Sequence, residues 1–249
     1  MRAKRGDPWM AVAVAIWVGT GLWLDHAASL DVQRMIGAIT WTLLALALMR
    51  ETRAVRAQVM VALVIATAGE YALSPGLGLY DYRFAGVPSF VPPGHGLVYL
   101  AALNLARSTL AGRRGPLVRW STVVAGGTWA LWGVTVAARG DWFGFVLYVA
   151  WAAFALRGGA PMIAVGCWIL TTWLELVGTG LGNWAWAPAT ALPFLTMGNP
   201  PTGIAGGYCV LDVLALRIGQ TLVAPGDDQG AAGGAAGARL TSASVTTGS

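Results

Sequence analysis

Eight apolar segments, separated by short gaps, constrain the fold of this sequence more than any other feature. They cover residues 9–25, 31–49, 57–79, 93–110, 118–138, 142–157, 161–182 and 201–219. A helix that crosses a membrane needs about 20 mainly apolar residues, within a range of about 17–25. Backbone polar groups inside a bilayer must bond within their own segment, so such segments fold as helices. The sequence therefore predicts an all-α integral membrane protein with about eight transmembrane helices.

The placement of charge predicts the orientation. Only 11% of the 249 residues are charged, whereas about 25% is usual in soluble domains. The net charge of +5 does not indicate a nucleic-acid partner, because the basic residues occupy the gaps between apolar segments. If the N-terminus is cytoplasmic, all 16 Lys and Arg residues except Arg34, Arg83 and Arg139 lie on the cytoplasmic side. We therefore expect both termini in the cytoplasm and a multi-pass protein of the plasma membrane.

One short phrase occurs twice in the sequence. In the first copy Glu70 precedes residues 77–82, which read Leu-Gly-Leu-Tyr-Asp-Tyr. In the second copy Glu175, 105 positions later, precedes residues 181–186, which read Leu-Gly-Asn-Trp-Ala-Trp. Each copy then continues through a proline-containing loop into another apolar segment. The two loops are expected to face the extracytoplasmic side.

This spacing predicts an internal duplication. We expect a first membrane repeat at residues 1–110 and a second at 111–222, each with four helices in the same orientation. Residues 223–249 are rich in Gly, Ala, Ser and Thr, and such a composition is typical of a disordered tail.

Acidic residues within the apolar segments are candidates for catalysis. An ionisable group at membrane depth is costly and marks a functional site by default. Glu70, Glu175 and Asp212 are expected roughly 10–16 Å below the outer helix ends, and Asn104 occupies the place of Asp212 in the first copy. Burial favours an uncharged carboxyl group, which can act as a general acid. A purely structural role, in which each acid bonds a neighbouring amide, is the alternative.

Aromatic and amide side chains near these acids are candidates for contact with a substrate. Aromatic faces stabilise a positive charge, so rings beside a buried acid suit the protonation of a carbon–carbon double bond. An aromatic belt at the membrane interface is the simpler alternative for the rings. The predicted substrate-binding residues are Tyr80, Tyr82, His95, Asn104, Asn183, Trp184 and Trp186.

Several kinds of chemistry are not indicated. The sequence has no Walker A loop, no HExxH motif and no pair of aspartate-rich motifs. Its two histidines are too few for a haem or di-iron site, and Cys167 and Cys209 lie inside apolar segments. We therefore expect neither a metal nor a cofactor.

The repeated phrase resembles the CruF-like carotenoid biosynthesis membrane proteins. The shared order is Glu, then Leu-Gly-x-aromatic-x-aromatic, then Val-Pro and a second proline, and the first copy carries all of it. The residues that match are Glu70, Tyr80, Tyr82, Pro88, Pro92 and Glu175. The resemblance implies a polytopic membrane enzyme that hydrates the terminal double bond of acyclic carotenoids.

Two functional hypotheses follow. The first is a membrane enzyme acting on a long apolar isoprenoid by acid-catalysed hydration, with cyclisation as a close variant. Glu70 or Glu175 would protonate the alkene, and the other acid or Asp212 would orient or deprotonate water. The second is a transporter or lipid-binding protein in which the carboxyl groups couple to protons or hold a polar headgroup.

Overall fold

A computed structural model of the protein describes residues 6–158 and 160–221, apart from the side chains of residues 210–213, 216, 219 and 220. The predicted tail, 223–249, lies outside the described residues. The described part is mostly helical. Its α-helices are α1 Pro8–Asp25, α2 Leu30–Met49, α3 Arg53–Tyr71, α4 Val91–Ala106, α5 Thr109–Thr135, α6 Trp142–Arg157, α7 Pro161–Gly180 and α8 Ala205–Thr221.

Four helical segments are long and apolar enough to cross a membrane. They are α1, α2, α7 and the continuous segment Arg53–Gly76, with mean hydropathies of 1.3 to 1.5. Helix α6 is apolar but has only 16 residues. The described residues therefore form a mostly helical protein with four candidate membrane-spanning helices.

Polar side chains fix where several helices begin. In each case the side chain just before the helix accepts a hydrogen bond from a backbone N–H two or three residues later, which satisfies a donor that the helix leaves unpaired. These capping residues are Asp7, Ser29, Thr52, Ser108 and Asp141.

Helix α4 lies at the centre of one half of the core. Its residues 96–103 are all buried, and α1, α2, α3 and α7 pack around it. Helices α4 and α7 approach closely at Gly166, where an added Cβ would lie 3.3 Å from the Cα of Ala102. Small residues at such crossings let membrane helices pack by van der Waals contact.

A short two-stranded sheet joins the segments that follow α3 and α7. Strand β1, Tyr80–Tyr82, pairs antiparallel with β2, Trp184–Trp186, so that Tyr80 lies opposite Trp186 and Tyr82 opposite Trp184. Both segments were expected to be loops within an all-α fold. Three residues are too few for an alternating pattern to indicate a strand, and the pairing partner is about 100 residues away in the sequence.

Candidate functional site

The backbone reaches both strands through the same kind of turn. Gly78 and Gly182 each lie two residues before the first aromatic residue of their strand, and both have positive φ, at 62° and 74°. Residues with a Cβ rarely adopt this conformation, so glycine is the residue that fits. The Leu-Gly-x-aromatic phrase therefore encodes a turn that directs the aromatic residues back towards the helix before it.

A π-helical turn precedes the first of these glycines. Residues Ala72–Gly76 continue α3 as a π-helix that contains Pro75. Proline lacks an N–H and its ring clashes with the carbonyl four residues earlier, so the regular α-helical pattern cannot continue there. This irregular turn lies between Glu70 and strand β1.

Glu70 on α3 is surrounded by three side chains that can donate hydrogen bonds. Its Oε2 accepts from the hydroxyls of Tyr80 and Tyr82, at 2.5 and 2.6 Å. Its Oε1 lies 2.9 Å from Nε2 of His95, near the start of α4. The carboxyl group is 5% exposed. Both oxygens of an ionised Glu70 would thus be satisfied without water.

Glu175 on α7 has a different set of partners. Its Oε2 accepts from the indole Nε1 atoms of Trp184 and Trp186, at 3.0 and 3.1 Å. Its Oε1 accepts a longer bond, 3.4 Å, from the hydroxyl of Tyr208 on α8. An indole nitrogen can only donate, so Oε2 must act as an acceptor. If this buried carboxyl group carries a proton, the proton is therefore on Oε1.

Gly178 makes room for the indole of Trp184 beside Glu175. A Cβ at position 178 would lie 1.9 Å from the Trp184 ring, which is closer than any real contact. The residue is three positions after Glu175 on the same helix, and the outer edge of the Trp184 ring packs against the helix where Gly178 has no side chain. Glycine at this position is a requirement of the site.

Aromatic rings connect the two carboxyl groups. Tyr80 lies 4.6 Å from Trp186 between ring centroids, across the strand pair. His95, which bonds Glu70, stacks on Tyr208, which bonds Glu175, at 5.3 Å. The partners of the two acids are thus in direct contact, so the acids belong to one site rather than to two.

The two strand tyrosines are held in their neutral form. Burial, and then the neighbouring Glu70 carboxylate, raise the pKa of both Tyr80 and Tyr82 well above the usual value. A neutral phenol keeps its proton and can donate it to the carboxylate in a hydrogen bond. This agrees with the short distances of both hydroxyls from Glu70.

Both carboxyl groups line one apolar cavity. Measured as the space open to the centre of a water-sized sphere, its volume is about 70 Å³. A single water needs about 10–15 Å³ on this scale, so the cavity has room for about five waters or a small apolar group. Of the predicted residues, the cavity wall includes Glu70, Glu175, Tyr80, Tyr82, His95 and Trp184. Trp186 does not line it, but bonds Glu175 from behind.

Asn183 belongs to a neighbouring polar cluster rather than to the cavity wall. Its Nδ2 donates to Oδ2 of Asp25 at 2.8 Å and to the carbonyl of Leu22 at 3.1 Å. Asp25 also accepts from Gln33 at 2.9 Å, and Arg83 lies 3.4 Å from it. The cluster ties the end of α1 to the start of α2 and to both strands. The structure thus gives Asn183 a role in holding β2, whereas a substrate contact was predicted.

One further predicted residue, Asn104, is not brought to the site. Asn104 lies two residues before the end of α4, where its Oδ1 accepts from the backbone N–H of Asp7 at 3.2 Å, at the start of α1. This is the end of α4 opposite to His95, so the predicted grouping of Asn104 with the acids is wrong. Asp212 lies in α8, but its side chain lies outside the described residues.

Tyr208, which bonds Glu175, was not among the predicted site residues. It lies in the last apolar segment, after Gly206 and Gly207, where hydropathy alone gives a tyrosine no distinguishing mark. Its apolar segment follows the second aromatic phrase, and the corresponding segment of the first copy carries His95 near its start. This correspondence is the signal that could have identified it. Trp17 and Thr171 also line the cavity, and neither was predicted.

Comparison of the sequence with models of protein families and with curated proteins, and of the structure with solved structures, finds no match.

Proposed function

We propose that this protein is a membrane enzyme that adds water to a double bond of an apolar isoprenoid by acid catalysis. The observation that carries the proposal is the arrangement of Glu175. Two donor-only indoles hold its Oε2, and this leaves Oε1 as the position for a proton in a carboxyl group that lines an apolar cavity. A proton held there faces the cavity in which an alkene would bind.

The proposed reaction balances without a redox partner. The π electrons of the alkene take the proton from Glu175, which forms a C–H bond and a tertiary carbocation. Water then attacks the cation to form a C–O bond, and the Glu70–His95 pair accepts the proton that this water loses. The pair then releases this proton and Glu175 takes one up, which restores the enzyme, and the net change is alkene plus water to alcohol.

The aromatic rings in the wall support this chemistry. Ring faces attract a cation with about 2 kcal/mol or more where water is excluded. Tyr80, Tyr82 and Trp184 line the cavity, and their polar atoms are engaged with the carboxyl groups. The rings therefore stabilise the carbocation without a free hydroxyl that would trap it.

The proposed arrangement in the membrane completes this function. We propose that all eight helices cross the plasma membrane as two parallel four-helix repeats, with both termini cytoplasmic. The turns at Gly78 and Gly182 are similar, and β1 pairs antiparallel with β2. Both features support a two-fold relation between the halves. The site would then open away from the cytoplasm.

Incubation in D2O tests the reaction. Protein in lipid nanodiscs is given an acyclic isoprenoid with a terminal trisubstituted alkene, and the extracted lipids are analysed by mass spectrometry. Hydration adds one water and leaves one deuterium on carbon, and this incorporation should disappear with Glu175→Gln. Deuterium without added water would indicate cyclisation.

A carrier is the second candidate, because the contact of His95 with Tyr208 links the two carboxyl groups through their partners. An unchanged lipid mass, together with saturable binding of the same isoprenoid, would favour the carrier and reject the enzyme.

A further inference from the structure

A groove between α1 and α2 extends from the carboxyl groups to the opposite end of these helices. Helices α1 and α2 form its walls and α4 forms its floor, since each packs more against α4 than against the other. A second cavity of about 480 Å³, in the same measure, lies along it. Its wall includes Met10 and Val14 of α1, Leu43 and Leu46 of α2, and Leu97 and Leu100 of α4.

Trp17 lies where the two cavities meet, and it lines both of them. Its Nε1 donates to Oγ1 of Thr40 at 3.2 Å, so the indole bridges α1 and α2 across the groove. Thr40 itself donates to the carbonyl of Ile36 at 2.7 Å. The Trp17 indole and its bond to Thr40 therefore lie between the two cavities.

The length of the groove and the polarity of its walls indicate what kind of molecule it can bind. The lining residues run from Asp7, the residue before α1, to Leu22, which corresponds to about 22 Å at the helical rise of 1.5 Å per residue. The walls are apolar between the two ends. The end remote from Glu70 and Glu175 has a polar rim formed by Asp7, Arg50, Glu51 and Asn104.

One side of the groove is accessible from the bilayer. Leu43 and Leu46 line the second cavity, yet they are 37% and 54% exposed. Ala13 of α1 also lines this cavity and is exposed. A lipid dissolved in the membrane can therefore enter sideways between α1 and α2.

We infer that the α1–α2 groove binds a linear polyisoprenoid along its length, with one end of the hydrocarbon at Glu70 and Glu175 and the rest in the second cavity beyond Trp17. This inference rests on the proposed function for the reaction at the two carboxyl groups. It adds that the substrate is long and bound in an extended form. The cavity beside the carboxyl groups holds only the terminal unit, because its volume is about 70 Å³. The remaining units need the second cavity.

Photo-crosslinking tests the binding path. Two isoprenoid alcohols, one with a diazirine at the hydrocarbon terminus and one with a diazirine at mid-chain, are irradiated with the protein in nanodiscs, and the labelled residues are identified by mass spectrometry. The terminal probe should label the first cavity, at Ile36 or Phe90, and the mid-chain probe the second, at Leu43 or Leu97. An excess of unlabelled isoprenoid should suppress both.

Variants that fill the second cavity sharpen the test. Ala13→Trp, or Ala47→Phe from the opposite wall, should weaken competitor-sensitive labelling at both positions by about tenfold or more. Ala13 is exposed, so the larger side chain can be accommodated, and a melting curve checks the fold. Ala153→Trp, on an exposed position of α6, is the matched control and should label like the wild type.

Two results would overturn the inference. The first is labelling that the unlabelled isoprenoid does not suppress, which would indicate contact with the bilayer only. The second is unchanged labelling in Ala13→Trp and Ala47→Phe when both variants are folded. Glu175→Gln should label like the wild type, because labelling requires no proton transfer. Failure of the groove is therefore distinguishable from failure of the chemistry, which the loss of turnover in Glu175→Gln tests separately.

Discussion

Replacement of Glu175 separates its chemical role from its structural role. In Glu175→Gln the amide oxygen can accept from both indoles, and the NH2 group can point to the hydroxyl oxygen of Tyr208. If Glu175 is a neutral acid, the replacement has the same shape and charge. The free energy of unfolding should then change by less than about 1 kcal/mol. Turnover should fall by about 10²–10⁴, which is the usual contribution of a general acid.

Glu175→Ala provides the structural contrast. It removes the acceptor from the Nε1 atoms of Trp184 and Trp186, both of which are in buried residues. Each unsatisfied buried donor costs about 1–3 kcal/mol, so the free energy of unfolding should fall by roughly 2–6 kcal/mol. Both variants are compared with the wild type by melting in detergent and by deuterium incorporation into the isoprenoid.

Two results would contradict this role of Glu175. If Glu175→Ala is as stable as Glu175→Gln, the hydrogen bonds do not hold the indoles as described. If Glu175→Gln turns over at the wild-type rate while Glu70→Gln is inactive, the acid is Glu70 and the assignment from the donor-only indoles is wrong.

Three further substitutions test how the site is held. Gly178→Ala should displace the ring of Trp184, since the new Cβ would overlap it. The activity should fall and the tryptophan emission spectrum should change. An unchanged spectrum and activity would contradict the close approach of Trp184 to Gly178. Tyr82→Phe keeps the ring but removes one donor to Glu70, so the free energy of unfolding should fall by about 1.5–3 kcal/mol in a detergent melt, and no loss would contradict the bond. Each carboxylate oxygen of Asp141 accepts two hydrogen bonds, so in Asp141→Asn the NH2 group would face two donors. The free energy of unfolding should fall by at least about 1–3 kcal/mol. Asp31→Asn, on the exposed start of α2, is the control for Asp141 and should melt like the wild type.

Much of the helical framework could be predicted from hydropathy. Each α-helix of the described residues overlaps one of the eight apolar segments, and the bounds of α1, α2, α6 and α7 differ from the prediction by two residues or fewer. Apolar segments of this length have few alternatives in a membrane, so their positions are well defined by composition. Whether α4, α5, α6 and α8 also cross the membrane stays a prediction.

The grouping of Glu70, Glu175 and the aromatic residues could also be anticipated, because the same phrase occurs twice. The placement of Asn104 could not. Its depth was counted from the proline pair over a segment expected to reach residue 110, but α4 ends at Ala106. Eleven residues therefore carry Asn104 almost to the far end of a 16-residue helix. The four-residue difference moves the inner end of the segment by about 6 Å, and this leaves Asn104 beside Asp7 at the start of α1.

The difference between the two halves carries more information about function than their similarity. Similar turns and paired strands present aromatic residues to both acids, but phenols serve Glu70 and indoles serve Glu175. A phenol can donate or accept, whereas an indole can only donate, so the two carboxyl groups do not have equivalent proton positions. Acid–base catalysis requires one group that releases a proton and another that takes one up. A two-fold scaffold with unlike donors would meet this requirement of the proposed reaction within a single cavity.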